Sequence, residues 1–205
     1  RDRHPAGEPV RKGFREFLAS RPAGKPFCFW LGATDPHRPY DAGSGAKAGI
    51  DPAKVRVPGD LPDCDVVRGD LADYLFEVQR FDGDVAEALR FLDETGEAAN
   101  TIVVITGDHG MPFPRHKCHL YDSGVHVPLA IRWPAVVKPG RTASDFVSLA
   151  DLAPTFLGAA GLARPPAMTG RSLEPLLAAA GSGRIDPARD HVLIGRERHT
   201  PAQEA

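Results

Sequence analysis

The chain has 205 residues and a mass of 22.0 kDa, with 42% hydrophobic and 25% charged side chains, which supplies a buried core and excludes global disorder. Lys and Arg number 25 against 27 Asp and Glu, a net charge of -2, so no global field draws the chain to nucleic acid or an anionic membrane, and an anionic substrate must be caught by local charge. No apolar run approaches the roughly 20 residues of a membrane span, the opening residues RDRHPAGEPVRK carry no targeting pattern, and Cys28, Cys64 and Cys118 are outside any zinc or disulfide spacing.

In chain order, Val10 to Ser20 place Val10, Phe14, Phe17 and Leu18 at helical spacing, and Arg21-Pro22-Ala23-Gly24 stops that helix. Pro26 to Ala33 (PFCFWLGA) is a short apolar run that predicts a strand covered on both faces. Thr34 to Cys64 is rich in Pro, Gly and Asp and shows no period; a loop of that length in a compact domain is usually functional. Val66 to Ala98 is the strongest helical segment, with Leu71, Tyr74, Leu75, Val78, Phe81, Val85, Leu89 and Leu92 as its apolar positions and Gly96 suited to its C-terminal cap.

Thr101 to Thr106 (TIVVIT) predicts a second buried strand, which delivers Gly107-Asp108-His109-Gly110 to its C-terminal end, the edge where α/β sheets bind ligands. A Pro-rich basic loop, MPFPRHKCHLYDSG, leads to a third strand at Val127 to Trp133. Phe146 to Leu149 predicts a short strand, Asp151 the N-cap of a helix through Ala160, Ser172 to Ala180 a further helix, and His191 to Gly195 a last strand. No internal repeat and no inter-domain linker is visible.

Three loops carry chemistry. In Asp35-Pro36-His37-Arg38-Pro39 two prolines fix the backbone beside an imidazole and a guanidinium, an arrangement suited to an oxyanion. Gly107-Asp108-His109-Gly110 offers two metal-capable side chains between glycines, and two donors cannot hold a divalent ion alone. Arg115 to Gly124 is cationic, with Lys117 four residues before Tyr121.

Taken together, Asp35-Pro36-His37-Arg38-Pro39, then Thr106-Gly107-Asp108-His109-Gly110, then Lys117 with Tyr121-Asp122-Ser123-Gly124 and Pro128 resemble the sulfatase family of the alkaline phosphatase superfamily in order and spacing. Asp151-Leu152-Ala153-Pro154-Thr155 and Gly170-Arg171-Ser172-Leu173 look like later segments of the same family, so the resemblance spans nearly the whole chain. Met111 to Pro114 and Gly195 to His199 look most like bacterial relatives of heparan N-sulfatase (sulfamidase), and the excess of Arg over Lys with Asn100 as the one Asn leans the same way.

The resemblance implies an α/β three-layer sandwich with a mixed, mainly parallel central sheet flanked by helices, incomplete in this chain, which would be residues 1–205 of a partial catalytic domain. It implies hydrolysis of a sulfuric ester or N-sulfate of a sugar, a formylglycine nucleophile made from C-x-P-S-R by a formylglycine-generating enzyme, and a calcium ion, with magnesium second. Cys64 to Arg68 has the spacing but reads C-D-V-V-R, so it is rejected as the nucleophile, which is expected outside this chain. His37 and Lys117 are the implied catalytic residues, Asp108 and His109 the metal ligands, and Arg38 and His199 the substrate contacts; Arg115, His116 and His119 stay unassigned. The family implies a periplasmic or secreted location. Alternatives are a phosphodiesterase or phosphonate hydrolase of the superfamily, or a module that binds sulfated glycans without turnover.

Overall fold

The structure, a computed structural model, describes residues 8–196, and these form two compact units: residues 8–98 with 109–126, and residues 99–108 with 127–196.

The first unit is built on helix α3 (Asp65–Glu94), preceded by α1 (Glu8–Ser20) and a short α2 (Ser44–Lys47). Phe14 of α1 is buried and meets Phe91 of α3 at 6.0 Å between ring centroids. The apolar periodicity predicts the start of α3 to within one residue; the helix ends four residues before the predicted Ala98, just before the glycine expected to cap it. Gly96 has φ +73°, its N–H donates to Asp93 at 3.1 Å, and the Glu97 N–H donates to Leu92 at 2.9 Å. These two bonds satisfy the last carbonyls of the helix as a Schellman motif does.

Which face of α3 is buried departs from expectation. Its buried residues are Leu71, Ala72, Leu92 and three acids, Asp73, Glu77 and Asp84, whereas Leu75 and Val78 are exposed. The acids Asp70, Asp73 and Glu77 and the base Arg80 recur at spacings of three and four, one stripe of the helix. That stripe orders the loop predicted to be irregular. Arg38 pairs with Asp70, the Asp73 carboxylate accepts from the N–H groups of Gly43 (2.9 Å) and Gly45 (2.8 Å), and Arg80 Nε is 3.1 Å from Asp35. Helix α2 therefore owes its N-terminus to a cap from a residue about thirty positions away, which no local pattern announces. Gly45 is required there, because a Cβ would sit 2.2 Å from the Ala72 carbonyl oxygen.

The stretch Pro26–Ala33 is extended but forms no ladder, correcting the predicted doubly covered strand. Phe29 packs on Phe14 and Phe17 at 4.9 Å, while the alternate residue Trp30 is 89% exposed. The two-residue alternation of an extended chain is present; a partner strand for its N–H and C=O groups is not found among the described residues.

In the second unit, β1 (Val103–Thr106) and β2 (Leu129–Arg132) pair antiparallel, from Val103 opposite Arg132 to Thr106 opposite Leu129, as two of the predicted strands. The predicted strand Phe146–Leu149 is not formed. Upstream of it lies a single parallel bridge between Ala143 and Gly183, and the Asp145 carboxylate accepts the backbone N–H groups of Ile185 and Asp186 that a ladder would have used. His191–Gly195 is likewise extended and unpaired by any ladder, with Leu193 90% exposed.

Helix α4 (Asp122–Val125) belongs to the first unit, and α5 (Leu152–Ala159) and α6 (Glu174–Ala178) to the second. Asp151 does not cap α5 with its side chain as predicted. It accepts instead from Ser148 N, Arg171 N (2.7 Å) and the guanidinium of Arg189 (2.7 Å), a buried ion pair. Thr155 Oγ1 donates to Asp151 O and accepts from Leu173 N. The segments Asp151–Thr155 and Gly170–Leu173 are thus stitched to each other, and their residues form the framework of this unit.

Candidate active site

His37 leaves the 34–40 loop as an exposed side chain whose Nδ1 is 2.7 Å from the Arg38 carbonyl oxygen. Its Nε2 is 3.2 Å from Nζ of Lys117, eighty residues later. A carbonyl oxygen only accepts, so the Nδ1–H donates to it, and Nε2 is left facing the Lys117 amino group. Two residues assigned from separate loops therefore meet.

Arg38 is engaged in the framework. Both terminal nitrogens pair with the Asp70 carboxylate, Nε donates to Pro112 O at 3.1 Å, and the guanidinium lies over the rings of Tyr40 (4.6 Å) and Phe113 (4.8 Å). The hydrogen bonds that Arg38 donates to the Asp70 carboxylate hold its charge more firmly than usual, and burial pushes the Tyr40 hydroxyl up from its ordinary value. Arg38 so ties the His37 loop both to α3 and to the segment Met111–Pro114.

Beneath the His37 loop, Glu77 is buried with Oε2 lacking a hydrogen-bond partner among the described residues. Burial first, and then the neighbouring carboxylate of Asp35, push the Glu77 carboxyl up from 4.5 to about 7; Arg80 opposes the shift, and Asp41 and Asp73 add to it.

The Lys117 loop is rooted by Phe113, which packs with Val55, Leu71 and Ala72 in the core of the first unit. Two glycines let it close on the neighbouring turn. A Cβ on Gly110 would lie 2.1 Å from Ser123 O, and one on Gly124 would lie 2.4 Å from the carbonyl oxygens of His116 and His119. Arg115 is exposed, His116 is buried, and His119 stacks on Tyr121 with centroids 6.0 Å apart.

Asp108 is exposed and follows β1 in the second unit; His109, next in the chain, is half-buried in the first. His109 Nδ1 is 2.7 Å from Gly110 O, so its Nδ1–H donates to that carbonyl. Each residue is a competent donor for a divalent ion, but among the described residues no group of three His, Cys, Asp or Glu is arranged to hold one. His199 lies outside the described residues. Cys64 is an exposed residue at the start of α3, and Arg68 is committed to Asp63 and to the carbonyls of Pro52, Ala53 and Val55, so the C-D-V-V-R segment forms part of the scaffold. Asp70, Glu77, Arg80 and the Asp60–His116 contact were not identified from the sequence; for the first three, helical spacing of charged residues was the available signal.

The family model described as Sulfatase matches residues 7–162. The N-sulphoglucosamine sulphohydrolase of Homo sapiens is 31% identical over 196 residues, covering 80% of this chain and 39% of its own length. A protein solved in complex with its substrate D-glucosamine-2-N,6-O-disulfate superposes with a TM-score of 0.73 at 23% identity, over 88% of this chain and 53% of that one. The phosphonate monoester hydrolase of Silicibacter pomeroyi superposes with a TM-score of 0.68 at 28% identity, over 85% and 42%. The chain spans 18% to 39% of the length of its most similar curated relatives. Its fold is accordingly the α/β alkaline phosphatase-like fold, to which the described residues contribute one antiparallel strand pair and the helices of the two units. The chain belongs to the sulfatase family.

Proposed function

We infer that residues 1–205 are part of a sulfatase catalytic domain that supplies its substrate-side cationic groups, and that the whole protein hydrolyses a sulfate ester or N-sulfate of a sugar. The observation that carries this reading is the approach of His37 and Lys117, a proton-carrying ring and an ammonium held 3.2 Å apart at the surface. A sulfuryl group placed against them would draw both side chains onto its oxygens. Lys117 would neutralise the charge that grows on the non-bridging oxygens, and His37, having taken up a proton from water at Nε2 as Lys117 turns to the substrate, would pass that proton to the leaving oxygen or nitrogen as the bond to sulfur breaks. Arg38, through Asp70 and Pro112, would hold His37 in place, and His199 keeps its sequence-based assignment as a substrate contact.

Asp108 and His109 would hold one side of a calcium ion, with magnesium second; oxygen-rich ligation favours calcium, and the imidazole is the less usual donor. Such an ion, with a formylglycine produced by a maturation enzyme, would supply charge neutralisation and the attacking oxygen. A sulfated saccharide is the substrate class favoured by the two sugar-sulfate relatives. The similarity to a phosphonate monoester hydrolase supports a second reading with a tetrahedral phosphoryl substrate.

The test is turnover by the full-length gene product, co-expressed with a formylglycine-generating enzyme, on N-sulfoglucosamine, glucosamine 6-O-sulfate and an aryl sulfate. Hydrolysis of any of them supports the reading. Inert sulfates with cleavage of a phosphonate monoester would select the second, and glycan binding without turnover would reduce the protein to a binding module.

A further inference from the structure

Lys117 is a long, rotatable side chain on a loop without helix or strand, yet its ammonium meets His37 at a defined place. Its backbone N–H donates to Met111 O at 3.1 Å, and the residues on either side of the dipeptide His116-Lys117, Arg115 (φ +69°) and Cys118 (φ +65°), are both left-handed. The loop is thus sharply turned on both sides of that dipeptide. Turns alone do not orient it, since the loop buries only two large side chains. Phe113 gives an apolar contact that has no preferred direction. The other is His116, 3% exposed, whose Nε2 is buried without a well-formed hydrogen bond and faces the Asp60 carboxylate at 3.4 Å.

Asp60 stands in a segment that is itself fixed. Arg68 of α3 donates to the carbonyls of Pro52, Ala53 and Val55, and Val55, Val57 and Leu61 pack in the core on either side. A chain of polar contacts therefore runs from α3 through Arg68 and the 52–60 segment to Asp60, His116 and the backbone of Lys117. Arg115 and His116, the two basic residues before the lysine, differ in the structure: Arg115 is exposed, while His116 is buried with its polar atom aimed at an acid.

We propose that the His116–Asp60 pair is the positioning device for Lys117, setting where the ammonium stands against the substrate anion. The inference rests on the sulfatase reading for its kinetic consequence and on the loop geometry alone for its structural one. His116 acts through Lys117 and does not itself touch the reacting atoms.

The experiment uses the full-length, matured protein and three variants: His116→Leu, which keeps bulk without a donor, His116→Gln, whose amide nitrogen can still reach Asp60, and Asp60→Asn. Two readouts are taken, steady-state kinetics on N-sulfoglucosamine or glucosamine 6-O-sulfate and amide hydrogen exchange across residues 113–121. His116→Leu should lower kcat at least tenfold with KM changed no more than threefold, and should speed exchange at residues 116–119 at least tenfold while α3 keeps its protection. His116→Gln should recover most of both, and Asp60→Asn should resemble His116→Leu. A His116→Leu variant that folds, turns over at the wild-type kcat and keeps wild-type exchange in the loop would overturn the proposal. Equal loss in the Leu and Gln variants, with exchange raised throughout the first unit, would also overturn it, by reducing His116 to a packing residue. If the wild type is inert on every sulfate, the functional reading fails, and the exchange data still decide whether the pair holds the loop.

Discussion

Glu77 offers the sharpest quantitative test of the framework. Its carboxyl is buried under the His37 loop with Asp35 beside it, and its proton leaves near pH 7 instead of 4.5. A group whose folded value is raised binds its proton more tightly in the folded state. Stability therefore decreases as pH rises from about 4.5 to about 7, and stays at the lower level above that. At 1.36 kcal/mol per pH unit, the displacement from 4.5 to about 7 sets a ceiling of about 3.4 kcal/mol. Local relaxation and entry of water reduce that figure, so a loss of about 2 kcal/mol is expected. Glu77→Gln, which keeps shape and stays neutral, removes the penalty. Urea unfolding of both proteins at pH 4 and pH 8 isolates it: the variant should gain about 2 kcal/mol on the wild type between the two pH values. A stability difference that is the same at both would refute the claim that Glu77 titrates in its buried place.

Lys117→Ala should lower kcat by roughly 100- to 1000-fold, about 3 kcal/mol of transition-state stabilisation, with the fold intact by circular dichroism. Arg38→Lys should not restore what Arg38→Ala loses, because an ammonium cannot make the bidentate bond to Asp70 while lying over Tyr40 and Phe113; kcat in both should fall together, measured on the same substrate. Asp108→Ala should weaken calcium binding by at least tenfold in a calorimetric titration of the full-length protein, and unchanged affinity would remove Asp108 from the metal site. Asp151→Asn leaves the buried Arg189 guanidinium only its longer contact with Asp186 (3.8 Å) and should cost about 3 kcal/mol in denaturant unfolding.

What could be read in advance followed from local physics. The 3.6-residue period of α3 and the glycine after it, and the β-branched run of β1, need no partner to be recognised, and both stand where the pattern puts them. His37 and Lys117 are each named by motif order, but their meeting leaves no local trace across eighty residues and is visible only in the fold. Strands at Pro26–Ala33 and His191–Gly195 were misjudged because hydrophobicity records a preference for burial, whereas a strand is defined by the neighbour that bonds to it. Asp151 was assigned to the helix it precedes, although its strongest partner is a guanidinium thirty-eight positions later. An arginine beside a histidine in a rigid loop is chemically apt for an anion, whereas the bond from Arg38 to Asp70 depends on the phase of a helix thirty-two positions on and leaves no local trace.

That phase has a consequence for how this protein can change over time. Asp70, Asp73, Glu77 and Arg80 share one side of α3, and the loop carrying His37 is built on them. Each residue added to or removed from an α-helix turns everything beyond it by about 100°. A single insertion between Asp70 and Arg80 would leave the helix as good a helix as before, with its composition and capping unchanged, and would still dismantle the loop. The surface chemistry of His37 is therefore tied to an integer, the number of residues in a helix that does not itself carry His37. Drift in side-chain identity along the exposed face of α3 should be tolerated, and drift in its length should not.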